Sequence, residues 1–286
     1  MIARLCALLL CFVGIACAQA DSKLNEDELR FVTANAEFTL LHEMGHLLIH
    51  ELQLPVLGRE EDAADQLGFI GLFLLYRRQD DPAFAARLLD VADYWRLEWQ
   101  RPKPAQEEIR EWDSHALDAQ RFYNIACLAY GSDPAQMEWI IQATGLPEER
   151  AFYCDQEYAQ ALHAVNWLKQ HFQRKPGEPT GERIQVVYDA PSYALEDGEQ
   201  LLARIRASGE LEAVATKAAD TFALPRPLVL HMTNCGAPDA WYDHRAGELT
   251  LCYEHLEHLR RLAAQLPHLR DDTEQGRVLP AQGAMQ

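Results

Sequence analysis

Leu41-His42-Glu43-Met44-Gly45-His46, followed after a short turn by Gly58-Arg59-Glu60-Glu61-Asp62-Ala63-Ala64-Asp65, decides how this chain is read. The first segment is a His-Glu-x-x-His motif. Side chains four apart on a helix lie one above the other, so His42 and His46 aim two imidazoles at one point, with Glu43 turned to the side. That arrangement suits a zinc ion with a carboxylate beside its open position. From Asn25 to Leu54 the run holds no proline and one internal glycine, Gly45. Asn25 or Asp27 can cap its start, and Glu26 and Glu28 favour the first turn. Phe31, Phe38, Leu41, Met44, Leu48 and Leu52 recur at three- and four-residue steps, which predicts a largely buried helix. Gly45, with no side chain, predicts that another backbone passes close by.

A catalytic zinc takes three protein ligands and leaves a place for water. A third histidine six residues beyond His46 would fall at position 52, which is leucine. His50 is one turn too far along the same helix to share a tetrahedral ion, and reads as a core or rim histidine. The remaining source is acidic. Arg59 to Arg78 reads as a second helix, on which Glu61 and Asp65 share a face. Glu61 then serves as third ligand, and Asp65 accepts the N–H of a metal-bound histidine. Glu60 or Asp62 as ligand would leave no acidic residue four positions on.

With its flanks, this segment resembles the zincins of the glutamate-ligand kind, and more narrowly the DUF4344 metallopeptidase family of bacteria. The resemblance rests on His42-Glu43-x-Gly45-His46, on Leu54 to Asp65, on Gln120-Arg121-Phe122-Tyr123-Asn124 through Cys127, and on Cys235-Gly236 through Trp241-Tyr242-Asp243 to Cys252-Tyr253-Glu254. It spans most of the chain. It implies an α+β fold, mostly α-helical, in which a zincin-like active-site helix is served by a small sheet. In most zincins that sheet precedes the metal-binding helix. Here the strand-like stretches follow, so the C-terminal half is expected to fold back and supply it. One sheet edge would then take peptide backbone by strand addition.

Residues 1–20 read as a signal peptide: Arg4, an apolar run from Leu5 to Ala16, and Ala18-Gln19-Ala20 as a small-x-small cleavage site. Acylation of Cys17 as a lipoprotein is the rival reading, disfavoured because Gly14 stands where a branched aliphatic residue belongs. Either way the chain is exported, to the periplasm or beyond. No later stretch is long and apolar enough to span a bilayer. The formal charge of −18 makes the chain a poor binder of nucleic acid or anionic membrane surfaces and reads chiefly as solubility, and nothing in the sequence fixes an oligomeric state. Cleavage leaves Cys127, Cys154, Cys235 and Cys252, an even number in an exported protein. Of three connectivities, Cys127–Cys154 and Cys235–Cys252 are favoured, each within one local motif. A second zinc site lacks any C-x-x-C spacing.

From Arg59 to about Phe172 the chain reads as helical, with Leu67–Tyr76 in the core, a break at Arg101–Pro104 and a short helix over Gln106–Trp112. Further helices are expected over Leu117–Tyr130 and Pro147–His171. Residues 21–175 form the metal-binding part and 183–266 the α/β part, both in one catalytic unit, joined by a linker over Lys175–Arg183. Strands are expected over 183–188, 228–232, 240–243 and 248–253, with helices over Tyr193–Phe222 and Glu254–Leu266. The polar residues 267–286 read as a tail without structure.

The chemistry implied is hydrolysis of peptide bonds in a peptide or protein substrate. One zinc ion activates water, and Glu43 acts as base and then acid. His115, with Asp113 two residues before it, is a candidate donor to the developing oxyanion, as are Arg121, Tyr123 and Tyr242. The plain alternatives are a capping aspartate beside an exposed imidazole, and ordinary buried anchors. A cell-wall peptide amidase with the same site, or an envelope protein that zinc merely stabilises, are the competing functions.

Overall fold

The computed structural model describes residues 25–76, 82–102, 112–178, 183–192 and 198–274. The leader over 1–20, nearly all of the short helix over Gln106–Trp112 and the last residues of the tail lie outside these.

Helix α1 (Glu26–Glu51) begins at Asn25, whose side chain accepts from the Glu28 N–H at 2.8 Å while the Glu28 carboxylate accepts from the Asn25 N–H at 2.9 Å. That reciprocal pair satisfies two of the donors a helix start leaves open. Phe31, Val32 and Leu40 have no exposed surface and Leu47 almost none, so α1 is apolar on nearly every side and runs through the core. It stops short of Pro55. Leu52 caps it, and Gln53 at φ 52° takes the left-handed conformation that ends a helix.

The second helix, α2 (Glu60–Tyr76), returns antiparallel along α1. Gly45 and Gly68 let the two backbones touch. A Cβ on Gly45 would lie 2.9 Å from the Ala64 Cα, and one on Gly68 would lie 3.0 Å from the His42 nitrogen. α3 (Pro82–Gln100) and α4 (Asp118–Gly131) follow, then the short α5 (Trp139–Thr144) and α6 (Glu148–Ala151), and α7 (Cys154–Phe172). The single helix expected over Pro147–His171 is thus two, restarting at Cys154, which is bonded to Cys127.

β1 (Ile184–Tyr188) opens the second half, followed by α8 (Gly198–Ser208) and α9 (Glu210–Thr221). The one helix expected over Tyr193–Phe222 breaks at Gly209, whose φ of 65° no helix interior accepts. β2 (Leu228–Thr233), β3 (Ala240–Asp243) and β4 (Glu248–Cys252) complete a sheet of order β1-β2-β4-β3. The β1–β2 and β2–β4 pairs are parallel, and β3 pairs antiparallel with β4 across the His244–Gly247 turn. The fold is therefore mostly helical, with a small mixed sheet supplied by the C-terminal half. α10 (Tyr253–Ala263) and α11 (Leu266–Glu274) close the chain. The second of these corrects the tail reading. Leu266 and Leu269 are buried, and Arg270 donates to Asp90 at 2.7 Å and Asp93 at 3.1 Å, so polar composition there hides an anchored helix. No helix among the described residues is long and apolar enough to cross a membrane.

α1 packs against α2, α3, α9, α10, β3 and β4. Its C-terminal end is tied to the sheet by Glu51, which accepts from Arg226 at 2.6 Å and from the Tyr242 hydroxyl at 2.5 Å. The Arg226 guanidinium holds the Glu51 carboxyl below the usual carboxylate range. Gly45→Val should lower stability by about 1–3 kcal/mol, because the added carbons meet α2 backbone rather than a movable side chain. Denaturant unfolding measures this, and an unchanged midpoint would mean that the α1–α2 contact is looser than described.

Candidate metal centre

His42 and His46 stand on the face of α1 turned toward the first turn of α2, where Glu61 enters. The Glu61 Oε2 lies 3.3 Å from the Nε2 of each histidine, and the two Nε2 atoms are 3.3 Å apart. Four-coordinate zinc holds nitrogen and oxygen ligands at about 2.0–2.1 Å, which spaces neighbouring ligands by roughly 3.3–3.4 Å. Three donor atoms at that spacing surround one point. Glu61 Oε2 is buried and makes no hydrogen bond of acceptable geometry among the described residues, although a third ring nitrogen, His115 Nε2, is 3.0 Å away. A buried carboxylate oxygen left without a bond is costly, and a cation is the partner that this donor set fits.

The outer nitrogens are also held. His42 Nδ1 is 2.8 Å from Asp65 Oδ1, and His46 Nδ1 is 2.7 Å from Glu60 Oε1. Each histidine thus donates its Nδ1–H to a carboxylate and turns a lone pair on Nε2 inward. Asp65 in turn accepts from both arms of Arg121, through Nε at 2.8 Å and through Nη2, and the Arg121 guanidinium lies 3.6 Å over the Trp95 ring. Glu43 is buried, with its nearer oxygen 3.9 Å from His42 Nε2.

Burial pushes Glu43 up from the usual carboxylate value, the charges of His42 and His46 oppose it, and those of Glu61 and Asp239 add to it. Burial also acts to raise Glu61, but His115, His42 and His46 together outweigh it and hold that carboxyl far below its normal range. Desolvation acts to lower His46, yet Glu61 and Glu60 outweigh it and push it up to about 9. His115 rises to about 9, chiefly through Glu61, with Asp113 helping.

Of the residues singled out in the sequence, His42, His46, Glu61, Glu43 and Asp65 come together, and His115 joins them at the exposed rim with its Nδ1 2.9 Å from Asp113. The other three donor candidates have different partners. Arg121 stands behind Asp65, with its guanidinium spent on that carboxylate. Tyr123 packs on Trp99 and Phe122. Tyr242 gives its hydroxyl proton to Glu51. His50 is a rim residue, 3.1 Å from Glu60 and stacked on His244. Glu60 as the partner of His46 is absent from the sequence reading. The antiparallel course of α2 was the available signal: the first acid of α2 faces the later of the two motif histidines on α1.

The disulfides join Cys127 to Cys154 and Cys235 to Cys252. Cys235, Cys252 and Glu254 cluster as a metal site would, but both sulfurs are bonded to each other, and Glu254 accepts the backbone N–H groups of Cys235 and Gly236.

A family model, DUF4344, described as "Putative metallopeptidase", matches residues 4–169 and 192–280. The chain belongs to that metallopeptidase family. No curated protein and no solved structure matches it.

The raised histidines give a signed pH dependence. A histidine whose pKa rises on folding stabilises most below its unfolded value of 6.5, and that contribution fades as pH climbs through about 9. Chelator-treated protein should therefore melt lower at pH 9.5 than at pH 6.5. The extra stability conferred by added zinc should grow over the same interval, because metal needs unprotonated nitrogens. Thermal melts with and without metal at the two pH values test both signs.

Proposed function

We propose that this chain is an exported zinc-dependent peptidase in which His42, His46 and Glu61 hold the ion and Glu43 moves the proton. The observation that carries it is the trio of 3.3 Å separations beside a buried carboxylate. Zinc, when bound, lowers the pKa of water toward ~7 and polarises a substrate carbonyl. Glu43 supplies the rest of the proton chemistry. Its burial raises its affinity for a proton, so it can take one from the attacking water and give it to the leaving amine. Asp65 and Glu60 keep both imidazoles in the tautomer that presents Nε2, and Arg121 keeps Asp65 ionised. His115, steadied by Asp113, is the donor placed best to meet charge growing on the carbonyl oxygen.

Strand β3 offers the substrate a track. Among the described residues it is an edge strand, paired with β4 alone, and the Cys252 N–H bonds the Asp239 carbonyl just before it. Alternation then turns the backbone groups of Ala240 and Tyr242 outward, where an extended peptide can add. Asp239 lies close enough to Glu43 to act on its proton affinity, and α1 packs against β3, which brings this edge near the cluster. The two halves would then act as one catalytic unit. Two disulfides support an oxidising compartment, in line with the leader over residues 1–20.

Glu43→Gln should retain about one zinc per chain while turnover on a peptide library falls by roughly 10²–10⁴-fold or more. His42→Ala and Glu61→Ala should lose the metal too. Metal analysis beside peptide and peptidoglycan-fragment assays, with and without chelator, measures all three. Full activity in Glu43→Gln, or zinc retained in both ligand variants, would overturn the assignment. Turnover confined to the cell-wall fragments would make the enzyme an amidase instead.

A further inference from the structure

Two hollows of about 140 and 380 Å³ lie along the seam between α2 and α7, the smaller bounded by Leu41, Met44 and Gly45 on a face of α1 different from that of His42 and His46. They meet at Leu67, Val165 and Leu168, which line both. The smaller reaches Leu48 of α1 and Val214 of α9, and the larger runs to Pro55 and Val56 after α1. A hollow of the smaller size alone takes a benzene-sized group, and the adjoining one lengthens it enough for an extended chain. Exposed apolar side chains gather at the rim. Leu74 and Trp167 are about two-fifths exposed although each lines a hollow, and Leu57, next to Val56, is fully exposed.

Charge singles out one end. The sequence has only five lysines against 44 acidic residues. Two of the five, Lys169 on α7 and Lys217 on α9, come from different helices to line the mouth of the smaller hollow. Neither has an ion-pair partner among the described residues. The far end, beyond Pro55 and Val56, is lined by no acidic group. An anionic head therefore has a counter-charge at one end, and a cationic head has none at either.

We propose that this seam binds a free single-chain carboxylate amphiphile, a fatty-acid anion, with its chain between α2 and α7 and its carboxylate at Lys169 and Lys217. The lysine stems extend the apolar wall while their ammonium groups face the head. The site contains none of His42, Glu43, His46 and Glu61, although it borders Gly45, and its occupancy does not depend on peptidase activity.

Calorimetric titration of the full chain with laurate below its micelle concentration tests this, beside dodecyltrimethylammonium and dodecanol. Laurate should saturate at one per chain, and both comparison compounds should bind at least tenfold more weakly. The Lys169→Gln/Lys217→Gln double variant changes two side chains at the mouth and should lose tenfold or more in laurate affinity, with dodecanol binding unchanged. Ala164→Trp, at an exposed position on the wall of the larger hollow, should weaken laurate without altering the melting temperature. Equal binding of laurate and dodecyltrimethylammonium would overturn the proposal, as would unchanged laurate affinity in the double variant. Retention on phosphatidylglycerol vesicles without saturable laurate binding would make the seam a membrane-facing surface instead, and would overturn it too.

Discussion

Two helices in backbone contact set the geometry on which everything at the cluster depends. Packed helices with ordinary side chains between them sit about 8–10 Å apart. Gly45 against Ala64 and Gly68 against His42 remove those intervening side chains, so α1 and α2 approach until a Cβ would collide with main chain. Only at that separation can Glu61 touch both imidazoles while Asp65 and Glu60 reach behind them. The glycines carry no chemistry themselves, yet they decide whether three donor atoms meet.

Much of this was legible in the chain because it is local. The four-residue spacing of His42 and His46, the pairing of Glu61 with Asp65 and the capping residue Asn25 each lie within one or two helical turns, where helix geometry dictates neighbours. The strands were legible for a similar reason: short β-rich runs such as Ile184–Tyr188 and Leu228–Thr233 stand between turn residues. What escaped involves distant partners. Tyr242 and Arg226 converge on Glu51 from the far end of the sequence, and Arg121 finds Asp65 across two helices. No spacing rule announces such a meeting. α11 escaped because its polar residues dominate its composition, whereas Leu266, Leu269 and Arg270 hold it in place.

The acidity of the chain has a local meaning at the cluster. Glu43, Glu60, Glu61, Asp65, Asp113 and Asp239 all act on one small region, countered there by Arg121 and three imidazoles. Buried like charges repel unless something positive sits among them. The arrangement is thus a carboxylate-rich shell of the kind that suits a cation, with Asp65, Glu60 and Asp113 behind the imidazoles and Arg121 offsetting the first of these.

Glu51 lies five residues beyond His46 on the same unbroken helix, about 7.5 Å further along its axis. Through Arg226 and Tyr242 it fastens the sheet's outermost strand to that helix. The edge of the sheet is therefore fastened to the same helix that carries His42 and His46, and the rise of that helix sets the offset between them.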